Sequence, residues 1–409
     1  MKLNRILVVA STFPANDNDP VPAFVRDQVI AFKKLRPALQ IDVLAPHDQR
    51  SNTKSITTHP EFTEYRFHYA WPYYNLEKVA GRGIMPALKA NPLNYLLLPF
   101  LFLGEFIALL RLVKKVKPDV IYAHWFTPQA VISSWVGSIT KTPFVFTTHA
   151  ADVAVWHKIP LIGKPIVQSN TRKARAFTAV SRRSMAKLER FFTQEEWSKL
   201  QNNSAIIPMG VGITPASDAK SGSGQNILFV GRLVEKKGVH FLLPAYAQIL
   251  KQFPGSKLTV AGDGPMLEEL QKQAADLGIS SHVSFPGYIT GEAKSQYIAS
   301  SDIYVVPSII TSSGDAEGLP VSLMEGLANG KLCIATNESG ADDILHDGTD
   351  GFLVPEKDVE ALATALTNAL LLQPSATTAM RVQAQATAAQ FAWPRIAQAH
   401  LDFFESNLK

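Results

Sequence analysis

Short apolar runs recur along the chain, most followed by a stretch with helical periodicity. Residues 5–10 (Arg-Ile-Leu-Val-Val-Ala) read as a buried strand, 14–20 as a polar loop, 23–34 as a helix and 40–45 (Gln-Ile-Asp-Val-Leu-Ala) as a second strand. Further strands are expected at Asp119–Trp125, Phe144–Thr148 and Ala176–Ser181, and the run Ala205–Gly210 closes the first series. A Thr/Pro/Ser/Gly-rich linker at 214–225 follows, and the pattern restarts. The second series has strands at 226–231, 257–262, 283–288, 302–308, 331–336 and 350–355, with a helix from about Val239 to Phe253 and a last amphipathic helix over 391–404. Strands that are apolar without alternation need cover on both faces. The pattern therefore predicts an α/β chain with two doubly wound, parallel sheets. The proposed boundary gives a first domain at 1–212 and a second at 213–391.

Two segments break the rhythm. Residues 65–71 (Tyr-Arg-Phe-His-Tyr-Ala-Trp) alternate as a half-exposed strand does, although their aromatics could also stack on an acceptor. Residues 93–113 are the most apolar stretch and approach the length of a membrane span. Pro99, Gly104, Glu105 and Arg111 argue against a span, since an intramembrane carboxylate is costly. Two readings remain for it: a buried helix of the first domain, or a helix lying in a lipid interface ahead of the basic run Lys114-Lys115-Val116-Lys117.

The length of 409 residues and a 46% hydrophobic content suffice for two full cores. A single cysteine, Cys333, excludes a disulfide framework and a cysteine metal site, and favours a reducing compartment. The N-terminal apolar run is too short for a signal-peptide core, so a cytoplasmic location is expected. The net charge of +5 is unevenly placed: residues 1–212 carry +13 and 213–409 carry −8. Such asymmetry points to an anionic partner. No nucleic-acid-binding motif is present, which leaves an anionic membrane surface or a phosphate-bearing acceptor.

The densest chemistry lies in Ser312–Gly330. Glu317 and Glu325 flank Gly318-Leu319-Pro320, and a helix is expected to begin at Pro320. Glu317 then stands on the loop, and Glu325 stands inside the helix. The amides of the first turn suit an anion, and the carboxylates suit hydroxyls. Gly231-Arg232 and Lys237-Gly238 bracket a strand-to-helix turn, where a fork and a point charge together suit a diphosphate. Gly262-Asp-Gly264 lacks the third glycine of a dinucleotide fingerprint, since Leu267 stands there. His124 and His149 both end strands, and Asp152 follows His149. In open sheets ligands collect at such ends, though hydrogen-bonded caps are the alternative.

These motifs resemble those of the retaining, nucleotide-sugar-dependent glycosyltransferases of GT-B fold. The motifs are Gly231-Arg232 with Lys237-Gly238, His149-Ala-Ala-Asp152, Pro307-Ser308, Glu317-x7-Glu325 with Ala328-Asn-Gly330, and Asp347-Gly-x-x-Gly351-Phe-Leu-Val. The Gly314–Pro320 version resembles bacterial enzymes of cell-surface polysaccharide synthesis, such as exopolysaccharide and lipopolysaccharide. The resemblance implies two Rossmann-like domains facing across a cleft, with residues 392–409 returning to the first domain. It implies that Arg232 and Lys237 hold the diphosphate, Glu317 the donor sugar and Glu325 the ribose. Gly231, Gly318, Leu319 and Pro320 would shape the donor site, and Tyr288 would border the base. His149 would contact the donor sugar, with His124 and Asp152 on the acceptor side. The implied donor is UDP- or GDP-linked, with no metal or separate cofactor, and the acceptor is a glycan or lipid-linked sugar at the inner membrane surface. The loop 13–24 departs from the family, having no glycine pair and carrying aspartates that would repel a phosphate. A non-catalytic nucleotide-sugar-binding subunit, or an epimerase or phosphorylase of the same fold, is the alternative.

Overall fold

The computed structural model describes residues 2–408 apart from 17–18, 20, 50–52, 81–82, 150, 160, 214–224 and 338–339. The linker expected at 214–225 thus lies almost wholly outside the described residues. The chain divides into two compact units, residues 1–210 with 393–409, and residues 211–392.

The first unit runs β1 (Arg5–Val9), α1 (Phe24–Leu35), β2 (Gln40–Pro46), β3 (Ile56–Thr58), β4 (Thr63–Phe67), α2 (Ile84–Ala90), α3 (Leu98–Val116), β5 (Val120–His124), α4 (Val131–Thr140), β6 (Phe144–Thr148), α5 (Ala151–Ala154), α6 (Gly163–Lys173), β7 (Ala176–Ala179), α7 (Arg182–Glu189), α8 (Gln194–Gln201) and β8 (Ser204–Ile206). Its sheet has the order β3-β4-β2-β1-β5-β6-β7-β8, and the β3–β4 pair alone is antiparallel. Successive residues of one strand feed two different cores. Leu7, Val9, Ile121 and Ala123 pack toward α3 and α4, while Ile6, Val8, Val120 and Tyr122 pack toward α1 and the C-terminal helix. Both faces are covered, which is why these strands read as unbroken apolar runs.

The second unit runs β9 (Asn226–Val230), α9 (Val239–Leu250), β10 (Lys257–Ala261), α10 (Leu267–Asp276), β11 (Val283–Gly287), α11 (Gly291–Ser300), β12 (Ile303–Val306), α12 (Val321–Ala328), β13 (Leu332–Thr336), β14 (Gly351–Val354), α13 (Val359–Leu371) and α14 (Pro374–Ala389). Its sheet is parallel throughout, in the order β11-β10-β9-β12-β13-β14. The last helix, α15 (Trp393–Asn407), belongs to the first unit, where Ala397, Leu401 and Phe404 pack against Val25, Val29 and Phe32 of α1.

The two irregular segments resolve differently from a plain strand and a plain core helix. Residues 65–71 leave the sheet after Phe67, and Trp71 and Tyr73 beyond it are exposed. The apolar stretch becomes a 3-10 turn at Pro92–Leu97 followed by α3. One face of α3 buries Leu101, Leu109, Leu112 and Val116, and the opposite face exposes Phe100 and Leu103 by more than half. Pro92–Val116 is long and apolar enough to cross a membrane by length and composition alone.

Glu105 lies on the buried face of α3, with the Gln129 amide donating to its Oε2 at 3.1 Å. Burial pushes its carboxyl up to about 8, and the Gln129 hydrogen bond offsets only part of that. The folded chain therefore keeps a proton that the unfolded chain releases above about pH 4.5. Stability falls as pH rises through the window between those two values. Glu105→Gln removes this loss. Its melting temperature should match the parent near pH 4.5 and exceed it by about 4 °C or more at pH 8. Calorimetric melts across that range test this, and a gap that stays constant with pH would contradict it.

Candidate active site

In the second unit the sheet reverses direction of growth between β9 and β12, since β10 and β11 extend one side and β13 and β14 the other. The loops leaving β9 and β12 diverge at such a switch point and open a crevice at the carboxyl ends of the strands. The predicted donor residues lie on these loops. Arg232 follows β9 and is exposed. A 3-10 turn at Glu235–Lys237 leads to Gly238, whose φ of +68° caps α9. A Cβ on Gly238 would stand 1.8 Å from the carbonyl oxygen of Pro307, so only glycine lets the two loops touch. The Ile309 amide donates to the Lys236 carbonyl at 2.8 Å beside that contact.

This closeness brings Lys237 against Glu317. Lys237 Nζ lies 2.7 Å from Glu317 Oε1, with both side chains largely buried, and Ser308 Oγ donates to Glu317 Oε2 at 3.1 Å. Lys236 pairs with Asp315 at 3.1 Å, inside a turn that Thr311 holds by accepting from the Asp315 amide at 3.0 Å. Helix α12 spans Val321–Ala328 as expected, with Pro320 as its N-cap rather than inside the first turn. The amides of Gly318 and Leu319 make no hydrogen bond among the described residues. Glu325 is paired with Lys294 of α11 at 2.6 Å. Tyr288 stands one residue beyond β11 and is exposed. Gly231 supports the loop by donating its amide to Ala261 at 3.0 Å.

The charge arrangement is more balanced than the sequence suggested. Both glutamates carry a lysine, so each can still accept hydrogen bonds without leaving an uncompensated charge. Arg232 makes no ion pair with a carboxylate among the described residues. Lysine 294 and Ser308 were not expected as site residues. Pro307-Ser308 was part of the motif without a role. Lys294 gave no signal, because its pairing depends on α11 meeting α12, 31 positions away in sequence.

In the first unit His124 ends β5, and His149 follows β6, its neighbour in the sheet. His124 Nδ1 and His149 Nε2 are 3.2 Å apart. His149 packs against the rings of Trp125 and Phe24, with centroids 4.9 and 5.3 Å away. Burial, and then the charge of His400 on α15, pull the His149 imidazole down to about 3, and burial drives His124 well below its ordinary value. Asp152 turns inward. Its carboxylate accepts from the Phe126 amide at 2.6 Å, from Thr148 Oγ1 at 2.9 Å and from the His149 amide at 3.2 Å. It therefore fixes the β5 and β6 loops and leaves little capacity for an acceptor.

A second cluster was not anticipated. His47 and His68 follow Pro46 and Phe67, which are paired across β2 and β4. Both Nδ1 atoms reach one oxygen of the fully buried Glu77, at 2.6 and 2.8 Å, and its other oxygen accepts from the amides of Tyr69 and Ala70. These separations are those of hydrogen bonds. Neighbouring ligands of a tetrahedral zinc stand wider apart, about 3.3 Å for bonds near 2 Å. The cluster fixes the turn that carries Trp71 and Tyr73.

Residues 214–387 match the model of the glycosyl transferases group 1 family, and residues 84–181 match that of the glycosyl transferase 4-like family. Two glycosyltransferase family models thus account for most of the chain, the group 1 model over nearly all of the second unit and the 4-like model within the first. The GDP-mannose-dependent alpha-(1-6)-phosphatidylinositol monomannoside mannosyltransferase of Mycolicibacterium smegmatis is 28% identical over 290 residues, which cover 66% of this chain and 73% of that protein. The amylovoran biosynthesis glycosyltransferase AmsK of Erwinia amylovora is 36% identical over 141 residues, about a third of each chain. Anabaena Alr3699/HepE, solved in complex with UDP, aligns over 99% of this glycosyltransferase and 100% of its own chain, with a TM-score of 0.72 at 19% identity. That likeness establishes the GT-B fold.

The Gly238–Pro307 contact carries a direct test. Gly238→Ala should lower the melting temperature by several degrees and weaken nucleotide binding at least tenfold by calorimetry, because the two loops must separate. Unchanged stability and binding would show that the contact does not hold the site together.

Proposed function

We propose that this glycosyltransferase moves a hexose from a nucleoside-diphosphate sugar to a hydroxyl of a glycan or lipid-linked acceptor, with retention of anomeric configuration and without a metal. The observation that carries the reading is the set of groups on the two switch-point loops. Arg232 and Lys237 supply cations, the Gly318 and Leu319 amides supply donors, and Glu317 and Glu325 supply acceptors for hydroxyls. This is what a ligand with both phosphates and hydroxyls requires. The sugar acceptor class draws support from the relatives named for phosphatidylinositol monomannoside mannosylation and amylovoran biosynthesis. The base is purine or pyrimidine in the GDP- or UDP-linked sense, as the mannosyltransferase name and the UDP complex respectively suggest.

As the glycosidic bond breaks, negative charge gathers on the departing diphosphate. Lys237 and Arg232 lower the barrier by compensating that charge, in the role a metal plays in other transferases. Lys237 begins in partnership with Glu317, so binding of the diphosphate shares one lysine between two anions. Glu317, held on its other oxygen by Ser308, accepts from a sugar hydroxyl and steadies developing positive charge on the ring. Attack from the face that the diphosphate leaves gives retention. The enzyme's share of the work is positioning and electrostatics.

We also propose that the enzyme works at the cytoplasmic membrane surface. Phe100 and Leu103 on α3, with the exposed Trp71 and Tyr73 of the same unit, would enter the interface, and the surplus of basic residues in 1–212 would meet anionic headgroups.

Three measurements test these statements. Nucleotide release from a panel of UDP- and GDP-sugars, with and without acceptor lipid, should be acceptor-dependent and insensitive to chelator. Release that never depends on acceptor would favour a binding or hydrolytic module. Lys237→Ala and Arg232→Ala should each lower kcat by about 10²–10³-fold, and near-normal turnover in either would refute the assignment. Sedimentation with phosphatidylglycerol vesicles should capture the protein at low salt, and Phe100→Asp with Leu103→Asp should abolish capture; equal binding by that variant would refute the membrane reading.

A further inference from the structure

The contact between His124 and His149 has a chemical consequence for how His149 meets a substrate. One hydrogen lies between His124 Nδ1 and His149 Nε2, 3.2 Å apart, and each ring can be the donor. If His149 donates, its own Nδ1 is bare, and neutral His124 must carry its proton on Nε2. If His124 donates, His149 Nε2 accepts, and neutral His149 must carry its proton on Nδ1.

The surroundings of His124 separate these two states. Its ring is fully buried, against Tyr122 at a centroid distance of 4.4 Å, and its Nε2 has no hydrogen-bond partner among the described residues. In the first state that atom is an orphaned N–H. In the second it is an unpaired lone pair. Buried N–H groups left without an acceptor are rarer in proteins than unsatisfied acceptors, and an unmade donor costs its full desolvation. The second state is therefore the cheaper one. His149 Nδ1, for its part, makes no hydrogen bond among the described residues, and the His149 backbone amide is already given to Asp152.

We propose that His124 is a positioning residue which holds His149 as the neutral tautomer protonated on Nδ1, so that His149 meets a sugar hydroxyl as a hydrogen-bond donor and not as a base. The inference rests on the glycosyl-transfer reading for its substrate, though not for its tautomer. It replaces an acceptor-binding role for His124, whose burial denies it contact with any ligand. The low proton affinity of both rings, produced mainly by burial, agrees with a pair that stays neutral at working pH. Asparagine at 124 can place its amide N–H near the position of the Nδ1–H.

The test uses the full chain with 15N-labelled histidine, and the His149 signals are assigned by their loss in His149→Asn. Long-range 1H–15N spectra should show the Nδ1–H form for His149 in the parent and in His124→Asn, and a shift toward the Nε2–H form in His124→Ala. In turnover with a nucleotide sugar, His124→Ala should lose about 10–100-fold in kcat, the range seen when outer-shell partners are removed, with KM for the donor changed less than about threefold. His124→Asn should recover most of that loss. An Nε2–H form in the parent overturns the proposal, as does a His149 spectrum that ignores position 124 in both variants. His124→Asn keeps the test open if His124→Ala fails to fold. A parent that turns over no donor sinks the glycosyl-transfer reading alone, because the spectra still decide the tautomer.

Discussion

The loops at the switch point of the second unit depend on one close approach, the backbone of Gly238 against the carbonyl of Pro307. Two loops that leave the sheet on opposite sides of the switch point are held together there by the absence of a side chain. The pairing of Lys237 with Glu317 follows. Lys237 precedes that glycine, Ser308 follows that proline, and Glu317 is caught between them. The contact sets where the backbone carries Lys237.

Charge is handled differently in the two units. In the second, carboxylates and lysines are paired at a half-buried surface, where a phosphate can still compete for the cations. In the first, burial holds the His124 and His149 rings neutral, and Asp152 is consumed in fixing backbone amides. A charged cradle suits a diphosphate, and a neutral, oriented ring suits a hydroxyl.

Helix α3 shows a third arrangement. It is apolar on a face that the core covers and on a face that it leaves open. The core face carries Glu105, kept uncharged by its surroundings. A carboxyl on that face is tolerated because it can remain protonated.

Much of this was legible in the sequence. Strands such as Ile303–Val306 announce themselves because burial on both faces removes the polar alternation. Helix α12 was readable because Pro320 marks its start and an apolar run follows. Arg232, Lys237, Glu317 and Glu325 were recognisable by residue type, spacing and strand-end position. Residue pattern alone thus carried the alternation of elements, the fold class and the charged residues beside turns. Their partners came from packing. The pairing of Glu325 with Lys294, of Lys237 with Glu317 and of both His47 and His68 with Glu77 joins segments whose proximity is set by strand order. It likewise turned Asp152 inward, buried His124 behind His149 and exposed one apolar face of α3. The physical reason is the same in each case: spacing along a chain fixes which face of an element a side chain occupies, and packing between distant elements fixes what that face meets.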